Sequence, residues 1–291
     1  MKLLTEWVNH DSPAGSFSAY LAHPGPVRTP VPGVIVIQEV WGVDAHIRDL
    51  VERFATAGYA ALAPDLYSAG GARPRALAAD RVEAARAFLD SIPPAEWMAV
   101  LGDEARRAEA LSRLPVEQGR QVGETVGALF GGAGGDSGRH LAVLRAAFSY
   151  LRSHPVCGGR PVGSVGYCMG GGLSALLACE EPDLSAAVIF YGPSPGQQQA
   201  ARIRCPVRGF YGGDDLRVSA GLPAFAATLQ SVGVDHALRN YPGAPHAFFN
   251  DTRPSYRPEA ARDAWAKTLA FFAAALGPVP TVPLADAASS G

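Results

Sequence analysis

A cysteine flanked two residues away on either side by glycine, in Gly166-Tyr167-Cys168-Met169-Gly170, is the segment of this chain best suited to covalent chemistry. The apolar run 162–166 leads into it and a helical pattern follows, so Cys168 is expected at the tip of a tight strand-to-helix turn. Side chains at the flanking positions would collide with the neighbouring strand and helix, which is why the spacing calls for glycine. Such a turn also aims backbone N–H groups outward at a helix N-terminus, where partial positive charge favours a thiolate and an oxyanion. A thiol nucleophile needs a base, and the base needs an orienting acid. Gly212-Gly213-Asp214-Asp215 follows the strand-like run 207–211, and Pro242-Gly243-Ala244-Pro245-His246 follows the run 236–241. None of the other six histidines falls in a comparable late loop.

The elements that must position these residues alternate. Short apolar runs at 33–37, 59–63, 162–166, 186–191, 207–211 and 236–241 read as strands. Helical patterns at 45–57, 138–153, 171–180, 219–232 and 258–275 fill the gaps, with Gly58 as a C-cap. Strand alternating with helix predicts an α/β fold, a mostly parallel sheet with helices on both faces. Residues 3–8 and 16–21 read as an antiparallel pair at one edge. The order nucleophile, acid, histidine at strand ends is that of an α/β-hydrolase. Residues 68–135 break the alternation. They hold at least two helical patterns, one through Leu77, Val82, Phe88, Leu89 and Ile92 and one through Trp97, Val100, Leu101, Leu111 and Leu114, separated by Pro93-Pro94. The expectation is a single domain over 1–277 with this segment as a helical lid, the glycines of 131–135 as a hinge, and a disordered tail at 278–291.

Composition narrows the function classes. The chain has 291 residues, 48% of them hydrophobic, and a formal net charge of −2, which gives no electrostatic footprint for nucleic acid or an anionic membrane. No run is long and apolar enough to span a bilayer, and the first dozen residues do not read as a signal peptide. The four cysteines, Cys157, Cys168, Cys179 and Cys205, show neither CxxC nor zinc spacing. Reduced thiols in a cytoplasmic protein, with no metal and no cofactor, are expected. Cys157, Cys179 and Cys205 read as small buried hydrophobes.

Five motifs together resemble the dienelactone hydrolase family: Gln38-Glu39-Val40-Trp41-Gly42, Pro64-Asp65-Leu66-Tyr67, Gly166-Tyr167-Cys168-Met169-Gly170-Gly171, Gly212-Gly213-Asp214-Asp215 and Gly243-Ala244-Pro245-His246. The resemblance implies an α/β-hydrolase fold and a Cys-His-Asp triad that hydrolyses small esters or lactones through a thioester. Cys168 would be the nucleophile, His246 the base and Asp215 the orienting acid, with Asp214 the second choice. Glu39 directly follows an apolar strand, so its carboxylate should sit in a poorly hydrated cleft where desolvation favours the neutral acid. The resemblance further implies that Glu39 contacts the cysteine at rest and exchanges that contact when substrate binds. It also sets the N–H of Val40 opposite that of Met169 as an oxyanion hole, where losing one donor typically costs about 2.7–4 kcal/mol of barrier.

Substrate recognition is where the match thins. The family's founding members carry a carboxylate-binding arginine four residues after the histidine, and this chain has Asn250 there. Arg253, three residues on, could reach the same region. Trp41, Tyr67, Tyr191 and Phe248 are candidate pocket-lining residues. A broader carboxylesterase or thioesterase would use the same groups, and is distinguished by whether an anionic carboxylate on the substrate improves turnover. A thiol redox sensor on this scaffold would have no use for His246 and Asp215 in register. The partner expected is a small ester or lactone; oligomeric state is left open.

Overall fold

Four short runs with scarcely a polar residue form the middle of the sheet. Gly33–Ile37 (β3), Ala60–Pro64 (β4), Val162–Tyr167 (β5) and Ala186–Phe190 (β6) are buried at every position, as strands covered on both faces must be. The computed structural model describes residues 2–279, apart from 14, 26–28, 69, 94–95 and 132–135. In it Lys2–His10 (β1), Phe17–Gly25 (β2), Val207–Gly212 (β7) and His236–Tyr241 (β8) complete an eight-stranded sheet of order β1-β2-β4-β3-β5-β6-β7-β8. β2 pairs antiparallel with β1 and with β4; every pairing from β4 to β8 is parallel. The expected edge hairpin is present and longer at both strands, because nine residues of β1 find partners on β2.

Ala45–Thr56 (α1) and Pro258–Leu276 (α11) bury their apolar stripes on one face of the sheet; Ser137–Ser153 (α6), Met169–Glu180 (α7) and Leu222–Ser231 (α10) cover the other. The single helix expected over 219–232 is two pieces, Leu216–Ser219 (α9) and α10. Pro223 lies in the first turn of α10, and a residue without an N–H can start a helix but not continue one. A short helix at Gln197–Ala200 (α8) had no periodic signal. α7 begins at Met169, two residues earlier than expected, because its glycine-rich first turn is helical despite the poor propensity of glycine.

The 68–135 segment holds a 3-10 turn, Arg75–Leu77, and four helices among its described residues: Ala79–Asp90 (α2), Trp97–Gly102 (α3), Glu104–Leu111 (α4) and Val116–Phe130 (α5). The second expected pattern is split at Asp103, which leaves the helical conformation and caps α4 by accepting from the N–H groups of Ala105 and Arg106. Leu77, Val82, Leu89, Val122 and Leu129 form a third apolar cluster closed below by Val40, Trp41 and Tyr67 from the loops after β3 and β4. The segment therefore sits over the carboxyl edge of the sheet. Residues 132–135 of the expected hinge and 280–291 of the expected tail lie outside the described residues. No described helix is long and apolar enough to cross a membrane.

Candidate active site

The carboxyl ends of six adjacent strands converge above the sheet, where open α/β sheets place their sites. β3 delivers Glu39 and Val40, β4 Tyr67, β5 Cys168, β6 Tyr191, β7 Asp215 and β8 His246. Cys168 caps α7 at φ 55° and ψ −116°, a conformation that costs a non-glycine residue free energy. Among the described residues the non-glycine positions with positive φ are Cys168, Tyr191 and Ala247, all on this edge. A side chain on Gly166 would put its Cβ 1.8 Å from the carbonyl oxygen of Gly170, and one on Gly170 would lie 2.3 Å from that of Ile37. The turn can therefore form only with glycine at both flanks. Gly170→Ala is expected to cost more than about 4 kcal/mol, the range reserved for severe steric lesions, and to lower Tm steeply. A Gly170→Ala protein melting with the wild type would contradict this account of the turn.

Asp215 Oδ2 lies 2.5 Å from His246 Nδ1, which leaves Nε2 as the ring nitrogen available to the Cys168 sulfur, whose charge acts on the imidazole. Asp214 next door is exposed and uses its backbone N–H on Ala244. Burial opposes a charge on His246, but the Cys168 sulfur and the Asp215 carboxylate outweigh it and push the imidazole up to about 10. Burial likewise opposes the charge on Asp215, and the hydrogen bond and charge of His246 hold it below the ordinary carboxylate value. The other cysteines are chemically different. Burial pushes the thiols of Cys157, Cys179 and Cys205 up to about 12.

Glu39 is 3% exposed, and its carboxylate faces neighbours other than those expected. Oε1 accepts from the Tyr191 hydroxyl at 3.1 Å and Oε2 from the Asn250 amide at 2.9 Å. The resting contact implied between Glu39 and Cys168 is not made among the described residues; the Cys168 sulfur acts electrostatically on His246. Two donors satisfy both carboxylate oxygens, and a buried carboxylate stays where its hydrogen bonds are. The N–H groups of Val40 and Met169 have no hydrogen-bond partner among the described residues. Tyr67, itself buried, donates from its hydroxyl to the Val40 carbonyl at 2.8 Å and so fixes that peptide.

The remaining candidates divide. Trp41 is covered by α5 through Phe130, at 6.4 Å between ring centroids, and by Arg253, whose guanidinium lies 5.4 Å from the indole. Arg253 also pairs with Asp90 of α2 at 2.6 Å and stacks on Trp97, so it joins the loop after His246 to the helical segment. Tyr191 packs edge-on to His246 at 5.1 Å. Phe248 is fully buried behind Tyr191 and Tyr241, where it supports the tyrosine from the core side and does not line a cleft.

The dienelactone hydrolase family model matches residues 17–276. The chain belongs to the dienelactone hydrolase family. A Saccharolobus solfataricus protein named "Putative carboxymethylenebutenolidase" is 35% identical over 263 residues, 90% of this chain and 95% of that one. A Klebsiella pneumoniae crystal structure titled "Putative Dienelactone Hydrolase" superposes at a TM-score of 0.70 with 27% identity, covering 94% of this chain and 99% of that one. The dienelactone hydrolase of Anabaena variabilis shares the fold at a TM-score of 0.59 and 17% identity, covering 95% of this chain and 100% of that one. Membership makes this protein a carboxylic ester hydrolase of the dienelactone hydrolase type. Against that background the residue that sequence reasoning passed over is Asn250. It was visible only as a departure from the family arginine, and its two hydrogen-bonding ends become meaningful only once the loop is folded.

Proposed function

We propose that the protein hydrolyses small esters or lactones with Cys168 as nucleophile, His246 as general base and acid, and Asp215 as the acid that orients His246. The observation that carries this reading is the arrangement of the strained Cys168 turn, the electrostatic coupling of its sulfur to His246, and the 2.5 Å contact from His246 to Asp215. A thiolate paired with an imidazolium is the reactive form of a cysteine hydrolase. The thiolate attacks the substrate carbonyl and the C–S bond forms as the carbonyl π electrons move onto oxygen. The N–H groups of Val40 and Met169 receive that oxyanion. The C–O bond then breaks and the departing alkoxide takes the proton from His246. His246, now neutral, draws a proton from water, and the hydroxide attacks the thioester. The carboxylic acid leaves and the thiolate–imidazolium pair is restored. With a lactone the acid and the alcohol end in one molecule.

Tyr191 packs edge-on against His246, and Trp41 lies beside Val40 in the apolar cluster under the helical segment. A wider carboxylesterase or thioesterase range uses the same machinery. The assay that separates the readings is a panel of p-nitrophenyl esters, thioesters and dienelactones run with the wild type and with Cys168→Ala. Turnover of at least one class, lost in Cys168→Ala, is expected; turnover that survives the substitution would remove Cys168 from the mechanism.

The raised proton affinity of His246 has a kinetic signature. The imidazolium that protonates the leaving alkoxide is present below a pH of about 10 and is lost as pH rises through it. An alkyl ester, whose alkoxide needs that proton, should lose kcat/KM above about pH 10. A p-nitrophenyl ester, whose leaving group needs none, should not fall there. Identical alkaline limbs for the two substrates would contradict proton delivery by His246.

A further inference from the structure

β3 and β5 run side by side with Ile37 opposite Gly166, so Glu39 and Cys168 each leave the sheet two residues later, at the same level. A carboxylate placed there could reach the thiol. It is held instead by two donors that make no other hydrogen bond among the described residues. The Tyr191 hydroxyl takes Oε1, and the Asn250 amide takes Oε2. Asn250 is fully buried, and its amide cannot rotate freely. Its carbonyl oxygen accepts from the Thr252 N–H at 3.0 Å and the Thr252 hydroxyl at 2.6 Å, which fixes the NH₂ toward Glu39. Turning Glu39 toward Cys168 would leave a buried phenol and a buried amide without acceptors.

We propose that Asn250, with Tyr191, is a positioning residue that anchors Glu39 away from Cys168, so that the thiol is paired with His246 in the free enzyme and an uncharged ester needs no anionic group to trigger its turnover. The inference rests on the assignment of Cys168 as nucleophile. It concerns substrate range, because an enzyme armed before binding accepts neutral substrates on the same terms as charged ones. It also gives Asn250 a reason to be an amide. An arginine would bring a permanent positive charge and a fork of donors to the carboxylate, where the amide supplies one neutral, oriented donor.

The test is the rate at which chloroacetamide, an uncharged alkylating agent, modifies Cys168 in the full-length, substrate-free protein at pH 7. Asn250→Leu keeps the shape of the side chain and removes the donor; Tyr191→Phe removes the other donor and keeps the ring. A released carboxylate beside the thiol that raises its pKa by about one unit cuts the thiolate fraction, and the alkylation rate, about tenfold. Both variants are expected to slow in this way. Adding Glu39→Gln to either is expected to restore the rate to within about twofold of wild type, since a double-mutant cycle isolates the carboxylate as the cause. Wild-type alkylation rates in both variants, or a slowing that Glu39→Gln does not rescue, would overturn the proposal. Should Asn250→Leu fail to fold, Tyr191→Phe carries the same comparison. Cys168→Ala separates the two layers: an active Cys168→Ala sinks the nucleophile assignment, whereas an inactive one with fast-alkylating Asn250→Leu and Tyr191→Phe sinks only the anchoring role.

Discussion

Cys168→Ala is expected to lower kcat for any ester substrate by on the order of 10⁶, the scale seen when a hydrolase loses its nucleophile. The expectation follows from position and chemistry together. Cys168 sits at the strained turn with its sulfur coupled electrostatically to His246, while Cys157, Cys179 and Cys205 are buried with thiols pushed up to about 12. Iodoacetamide at neutral pH should therefore inactivate by modifying Cys168 alone. Cys168→Ser should keep little activity, because a hydroxyl is far less ionised than a thiol and His246 would have to remove its proton during attack. A Cys168→Ala protein with most of its activity, or inactivation that maps to Cys179 or Cys205, would show that the chemistry lies elsewhere.

Asp215→Asn is expected to lower kcat by on the order of 10⁴, as loss of the orienting carboxylate does in serine triads. An amide at 2.5 Å from Nδ1 can face the ring with its NH₂ and select the tautomer that puts the proton on Nε2. That tautomer cannot accept a proton from the thiol. Asp214→Asn should fall within a few-fold of wild type, since the Asp214 side chain is exposed and its backbone N–H donates to the Ala244 carbonyl, a bond the substitution keeps. Steady-state kinetics of the two variants decide between the neighbours, and the reverse ordering would reassign the acid.

The sheet and the reactive turn were legible because both are written in local pattern. β3, β4, β5 and β6 are short apolar runs bounded by glycine and proline, and Gly166 and Gly170 flank Cys168 because the backbone of Ile37 and of the helix lies where a side chain would go. The same logic holds at Gly212, whose Cβ would meet the carbonyl oxygens of Ala244 and Pro245 at 2.5 Å and so separate the loops carrying Asp215 and His246. The helical segment was less legible. Its apolar positions face one another and the loops below, so the pattern does not fix where Asp103 would interrupt it or that α5 would supply the inner wall. Least legible were the contacts of Glu39. Its partners come from Tyr191 and Asn250, which lie 152 and 211 residues away along the chain, and no periodicity links them. Phe248 illustrates the opposite error: an aromatic beside the histidine reads as pocket lining, but Ala247 takes a positive φ and the Phe248 ring falls into the core against Tyr191 and Tyr241.

The central claim is that ester hydrolysis passes through a thioester on Cys168. Mixing the full-length protein with a p-nitrophenyl ester, quenching in acid during the first turnover and mapping the acyl group by mass spectrometry tests it directly. A single acyl adduct is expected, on Cys168, that appears with the burst of p-nitrophenol and is absent from Cys168→Ala. An adduct on another residue, or turnover with a full burst and no acyl group on Cys168, would contradict it.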